Sequence, residues 1–305
     1  MLAIAIAATV RISVMGSLHP VQLALQPARD AVLVVERQGR TETLRGARTI
    51  TITGPARVSG PGGAMAQFRL TARGGKPRDY LGKLQVRSTG AELLAIVEMD
   101  RETAVAAITD AEGSPGIPFE ARKAQAVVTR SYLAGARNRH VGFDFCDSDH
   151  CQLLKGSAPT DSAASAAAMI TRGQVVTYKG DVVPTLYSAS CGGHTKTLAQ
   201  SKWTGANIPQ PGYPYFSVAC PLQGRASGHG VGLCQLGSME IAQHGYSARI
   251  ILGHYFPNTV VETLEFTAPR EEVRPNAPKL TVVPKIVPPP RTLAASVDTG
   301  ARVAP

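Results

Sequence analysis

PFEARKAQAVVTRSYLAGARNRH, residues 118–140, is the stretch from which the rest of the chain can be read. Pro118 suits a first helical turn, where its missing N–H costs nothing. Ala121, Ala124, Val128 and Tyr132 recur three or four positions apart and share one face. The spacing predicts a long helix over 119–140 that lays this face on a core. Upstream the period changes. VRISV (10–14), AVLVVE (31–36), RTITITG (48–54), AQFRLTA (66–72) and LGKLQV (81–86) alternate or run apolar between Gly, Pro and Asp breaks, which predicts strands. IVEMDRETAVAAITDAE then passes from strand to helix.

Downstream, Asp161 is placed to cap a helix over SAASAAAMITR that Gly173 ends. QVVTYKGDVVPTLYSAS reads as a hairpin turned at Lys179-Gly180-Asp181. SMEIAQH, stopped by Gly245, and ARIILGHYF, started by Ser247, read as two short helices. The predicted class is α+β. A β-rich N-terminal region covers 1–90, a mixed helix-and-strand domain 91–268, and a disordered Pro-rich tail 269–305.

Thirty-two basic and 22 acidic residues give a net charge of +10, which favours a polyanionic or carboxylate-bearing partner. Nucleic acid is excluded as the expected partner, because no tract interleaves Lys/Arg with stacking aromatics. No apolar run is long enough to span a bilayer, which takes roughly 18 residues. The start, MLAIAIAATV, is apolar but short and lacks a basic n-region, so it reads either as a weak or truncated signal peptide or as a first strand.

Chemistry concentrates in four places. FDFCDSDHCQ (143–152), with His140 just upstream, offers His140, Cys146, His150 and Cys151 as a tetrahedral N/S shell for structural zinc. His150 and Cys151 are neighbours, so both can bind only if the backbone turns at Asp147-Ser148-Asp149. A Cys146–Cys151 disulfide and two free thiols remain the alternatives. In AEGSPGIPFEARK, Glu112 stands at an element end beside a glycine turn. There, apolar surroundings would raise its pKa and let it act as a general acid. YSASCGGHT (187–195) and SGHGVGLCQLGS (227–238) are glycine-rich and let a ligand approach the backbone. The second lacks the Gly-Lys-Ser/Thr ending of a phosphate loop. His229 and Cys234, on one loop with no orienting third group, make a poor thiol–imidazole pair.

EGSPGIPFEARKAQAVVTRSYL, CDSDHCQ, TRGQVVTYKG, YSASCGGHT, KWTG, GYPYFSVACP, GHGVGLCQLGS and ILGHYFPNT occur in this order over about residues 91–260. In them the chain resembles the SpoIID/LytB family of peptidoglycan enzymes and amidase enhancers. The resemblance implies a SpoIID-like catalytic domain and a lytic transglycosylase. Its general acid/base would be Glu112, with Glu98 the competing alignment, and structural zinc would sit on His140, Cys146, His150 and Cys151. The matched motifs supply Lys123, Gln125, Arg130, Tyr187, Ser188, Ser190, His229 and Gln235 as sugar-binding candidates. The implied partners are peptidoglycan glycan strands and a cell-wall amidase. The implied location is exported, periplasmic or cell-wall associated. The chain departs from the family pattern at AEGS, where Glu-Met-Pro is common, and at GLCQ, where a serine usually precedes the glutamine.

Overall fold

The structure, a computed structural model, describes residues 6–114, 116–136, 139–201 and 212–267. The Pro-rich tail from 269, the KWTG motif at 202–205 and the first five residues of the apolar start lie outside the described residues. The N-terminal strands are β1 (Ile6–Ala7), β2 (Thr9–Val14), β3 (Leu23–Pro27), β4 (Leu33–Arg37), β5 (Arg40–Leu44), β6 (Ile50–Ile52), β7 (Ala56–Ser59), β8 (Ala66–Ala72), β9 (Arg78–Thr89) and β10 (Glu92–Asp100). Helices α1 (Arg101–Ala111) and α2 (Phe119–Gly135) follow, then β11 (Phe145–Cys146) and α3 (Ala163–Ile170). The remainder comprises β12 (Gln174–Tyr178), β13 (Asp181–Val182), β14 (Tyr187–Ser188), β15 (Leu233–Cys234), α4 (Gln235–Gln243), α5 (Ala248–Tyr255), β16 (Val260–Thr263) and β17 (Phe266–Thr267).

The five strands expected before residue 90 are present, and three more, β3, β5 and β7, lie between them. The largest sheet is curled. Its twelve-residue β9 pairs along one edge with β10, and along the other first with β8 and then with β7, so two leaves diverge from one strand. Burial alternates residue by residue along β8 and β9, which fixes the register by turning one face to the core. At the other edge, β10 pairs with β2, and β2 in turn with β11, the only parallel pairing in this sheet among the described residues.

Helix α2 is the axis of the helical half and packs against α1, α3, α4, α5 and β12. The predicted face of Ala121, Ala124, Val128 and Tyr132 is buried, but so is every residue from 124 to 134, Gln125, Thr129, Arg130 and Ser131 included. A single apolar stripe therefore understates how deeply α2 is enclosed. The helix also ends at Gly135 rather than running to His140. Gly135 lies so close to the chain between β13 and β14 that a Cβ there would come within 2.8 Å of the Pro184 nitrogen. Ala136 is already extended. The cap of α3 is Ser162, whose Oγ accepts from Ser165 N at 3.1 Å, and not Asp161. The hairpin turns at Lys179-Gly180 as expected, but its second strand stops at Val182, and Tyr187–Ser188 leave to pair with β15. Among the described residues, no helix is long and apolar enough to cross a membrane.

Candidate active site and metal centre

Asp100 caps α1, accepting from Glu102 N at 2.9 Å and Thr103 N at 3.2 Å, and Glu112 is itself the C-cap. This places Glu112 at the C-terminal end of the helix with its side chain turned inward. Its Oε1 accepts from Leu153 N at 2.8 Å. Tyr187 faces the carboxyl closely enough for each group to shift the other's proton affinity, but short of hydrogen-bond geometry. Burial raises the pKa of Glu112. Asp149 adds to the rise, while the Leu153 N–H, Tyr187 and Lys155 oppose it without cancelling it. Burial and the adjacent carboxyl together push the Tyr187 phenol well up.

Glu112 stands between two cavities. One, of about 210 Å³, is lined by Tyr132, Asp149, Gln152, Tyr187, Ser188 and His229 among others. The second, of about 250 Å³, is lined by Thr109, Ser114, Arg122, Gln125 and Met239 among others. Glu112, Ala189 and Gln235 belong to both walls. Buried polar atoms normally find a partner. Here the Tyr132 and Tyr187 hydroxyls, Ser188 Oγ and both amide atoms of Gln152 are buried without a hydrogen bond beside the first cavity. Thr109 Oγ1 and Arg122 Nε are in the same condition beside the second. Such a concentration suits a polar ligand that supplies the missing partners. Two larger depressions lie elsewhere, one of about 390 Å³ between the N-terminal strands and residues 157–160 and one of about 710 Å³ on the N-terminal strands, and none of the expected site residues lines them.

His229 contributes a neutral ring. Val231 N donates to its Nδ1 at 3.0 Å, and burial, with Lys196 adding to it, lowers its pKa. Gln235 Nε2 reaches the Glu112 carbonyl oxygen and Gln125 Oε1, each at 3.4 Å.

Of the eight expected sugar-binding residues, Gln125, Tyr187, Ser188, His229 and Gln235 thus line the cavities. Lys123, Arg130 and Ser190 do not. Lys123 pairs with Glu120 at 2.5 Å, and buried Ser190 bridges Ser227 through the main chain. Arg130 is fully buried. It pairs with Glu102 through two hydrogen bonds of 2.6 and 2.8 Å and donates to the carbonyls of Ala168 and Gln174. Its place is inside the helical core. Glu98, the alternative acid, lies mid-strand between Arg11 and Lys83 and lines neither cavity. Sequence reasoning did not select Asp149, Gln152, Tyr132, Thr109 or Arg122. The only hint was that Asp149 and Gln152 sit inside the ligand motif.

That motif forms the wall beside Glu112. β11 pairs in parallel with β2, and a carboxylate on each side clasps the strand. Asp144 Oδ2 accepts from Arg11 N and Asp147 Oδ2 from Met15 N, both at 2.8 Å, while Arg78 pairs with Asp147 at 2.7 Å. The chain then turns through a Cys151 N to Ser148 O bond of 3.0 Å, which brings neighbours His150 and Cys151 to one centre. His140 Nε2 to Cys151 Sγ is 3.2 Å, His150 Nδ1 to Cys151 Sγ 3.5 Å and His150 Nδ1 to Cys146 Sγ 3.6 Å. All four ligand atoms lie within 4.8 Å of one another. A tetrahedral N/S shell with bonds of about 2.0–2.3 Å has edges of roughly 3.3–3.8 Å, so this donor set fits a metal ion. Neither thiol is in a disulfide. Hydrogen bonding from Cys151, Ser148 and His150 pulls the Cys146 thiol down to about 3, and the hydrogen bond that Cys151 gives to Cys146, together with burial, pushes Cys151 up.

Residues 89–178 match the family model described as SpoIID, stage II sporulation protein. This segment contains Glu112, α1, α2 and the four clustered ligands, and it stops before the glycine-rich loops. An uncharacterized protein of Brachyspira hyodysenteriae is 33% identical over 122 residues, a match covering 38% of this chain and 33% of that relative. The alignment thus spans about a third of the relative's length. Over residues 89–178 the chain is similar to the SpoIID family.

Proposed function

We propose that the chain is an exported peptidoglycan lytic transglycosylase that cleaves the bond between N-acetylmuramic acid and N-acetylglucosamine. The match of residues 89–178 to the SpoIID family model supports a cell-wall-related role. The observation that carries the finer reading is a buried carboxyl, raised in pKa, at the junction of two cavities rich in unpartnered polar atoms.

Glu112, protonated because burial disfavours its charge, donates its proton to the glycosidic oxygen. An oxocarbenium-like transition state follows. The resulting carboxylate takes the proton of the sugar's own 6-hydroxyl as that oxygen closes a 1,6-anhydro ring, and no water is consumed. Leu153 N–H steadies the carboxylate form in the interval. Tyr187, Ser188, Gln152 and Gln125 supply hydrogen bonds to ring substituents, and His229, its ring held by Val231 N–H, lines the first cavity beside them. Positioning has to supply much of the rate, since general acid–base help is worth about 10²–10⁴-fold.

His140, Cys146, His150 and Cys151 would hold zinc. A closed N₂S₂ shell leaves no position for substrate, so its contribution is to fix the turn that presents Leu153 and Gln152 to Glu112. Chelation is accordingly expected to loosen residues 139–155 first. Amide exchange over that stretch should accelerate together with loss of cleavage, while β8 and β9 keep their protection. Uniform collapse of protection across the whole chain would contradict the assignment.

Asp149 at the rim of the first cavity raises a second reading, in which two carboxylates flank the bond and water is consumed. Mass spectrometry of products from purified glycan strands decides between the two. The transglycosylase releases anhydro-muropeptides, and Asp149→Asn retains most of its rate. Reducing-end products together with an inactive Asp149→Asn would replace it by a hydrolase. A cell-wall amidase is the proposed protein partner, and the N-terminal region and Pro-rich tail are proposed to flank the catalytic domain.

A further inference from the structure

Three cysteines that the proposed chemistry does not use meet beneath the glycine-rich loops. Cys191 follows β14, Cys220 ends the segment beginning at Tyr213, and Cys234 is the N-cap of α4. All three are buried, with sulfurs within 4.8 Å of one another. None is in a disulfide. The backbone draws them in from separate segments: Cys220 N donates to Gly193 O at 2.7 Å, and Leu236 N to Ala189 O at 3.1 Å. The first turn of α4 lies directly on the cluster, because Gly237 sits where any Cβ would collide with Cys220 Sγ and the Tyr255 hydroxyl.

The groups around the sulfurs include several N–H donors and one acceptor, the Ala189 carbonyl, 4.0 Å from Cys234 Sγ. Gly237 N and Cys191 N point at Cys234 Sγ at 3.3 and 3.4 Å. Burial pushes the Cys191 thiol up to about 12, and the Gly193 N–H opposes that rise. The Tyr255 hydroxyl is 3.4 Å from Cys220 Sγ. Amide donors converging on sulfur favour thiolates, and in a buried setting thiolates persist where a cation balances them. The donor set is three sulfurs with no imidazole or carboxylate in the cluster.

We propose that Cys191, Cys220 and Cys234 form a second metal site, a three-thiolate site for a soft monovalent cation of the Cu(I) type. Sulfur-only ligation selects thiophilic ions, and three ligands leave the tetrahedral shell that zinc prefers one short. Binding one monovalent cation releases up to three thiol protons to solvent, and the negative charge that the cation does not offset stays on sulfurs faced by the Gly237, Cys191 and Gly193 N–H groups. The site would tie Ala189 and Gln235, two residues from Cys191 and adjacent to Cys234, into fixed positions on both cavity walls.

The test uses the full chain, reduced and kept free of oxygen, carrying Cys146→Ser and Cys151→Ser to silence the four-ligand centre. Cu(I) is titrated against a chromogenic Cu(I) chelator. One equivalent is expected to stay with the protein, with a copper-edge absorption spectrum of three sulfur neighbours. Adding Cys234→Ser, which keeps a capping atom at the start of α4, should weaken retention by more than about 100-fold, since losing even an outer partner of a metal ligand costs 10–100-fold. Cys191→Ser should do the same, so the outcome does not depend on one variant folding. No retained equivalent, a spectrum with nitrogen or oxygen neighbours, or equal retention with and without Cys234 would overturn the proposal. So would an intact mass two hydrogens light in the reduced protein, which would show a disulfide that resists reduction.

Discussion

Glu112→Gln is expected to lower glycan cleavage by about 10²–10⁴-fold while leaving glycan binding in place. The amide fills the same volume and its oxygen still accepts from Leu153 N, so the cavity walls keep their form. What disappears is the exchangeable acid proton. The same substitution should leave the protein as stable as the parent, or more so, above the ordinary glutamate range. The sign follows from the raised pKa. A carboxyl that binds its proton more tightly folded than unfolded helps stability at low pH. That help is lost as pH rises from the unfolded to the folded pKa, after which a buried charge must be carried. Glutamine carries none, so the difference in melting temperature should widen in its favour across that window and then level off. Cleavage by the parent should also decline as pH passes the raised pKa. A variant that releases anhydro-muropeptides at the parent rate would remove Glu112 from the chemistry. Loss of both cleavage and binding would point to a damaged cavity instead.

Arg130→Met carries the largest expected effect on stability. The guanidinium is fully buried, holds both Glu102 oxygens and also donates to two carbonyls. Removing it strands the Glu102 carboxylate, whose side chain is only 11% exposed, and breaking such a pair costs about 3–5 kcal/mol. Native domains are stable by about 5–15 kcal/mol, so the loss is a large share of the total. The double variant Glu102→Leu/Arg130→Met removes both charges and should recover a substantial part of it, a non-additivity measurable by denaturant unfolding. If Arg130 served substrate instead, the single variant would bind glycan poorly and melt normally.

Arg130 also shows what the sequence can and cannot disclose. Apolar spacing along α2 announced a helix and its buried face, because periodicity survives without tertiary context. The same pattern cannot separate an arginine facing solvent from one satisfied inside the core; that depends on Glu102 and two carbonyls from remote segments. Strand β5 is Arg-Thr-Glu-Thr-Leu and lacks the apolar alternation that marks a strand, while the short alternation of β3, Leu23 and Leu25, stops at Pro27, a residue that usually breaks a strand. Glu112 was reached through motif resemblance, since a lone acid before a glycine turn is common. Gln152, Asp149 and Tyr132 join it only because the ligand turn folds back across α1 and α2. The three-cysteine cluster was equally hidden, its members arriving from segments with no shared spacing.

The clasp of Asp144 and Asp147 around Thr9–Val14 carries a lesson for anyone trimming this protein. The family-matched span begins at residue 89, yet its tenth strand leans on a neighbour some eighty positions earlier. Excised at that border, the fragment would bare a sheet rim lined with Val97 and Met99 and leave two acids without the amides they grip. An unprotected rim of that kind recruits other chains. The minimal soluble unit therefore reaches back to Thr9, well outside the recognisable motif.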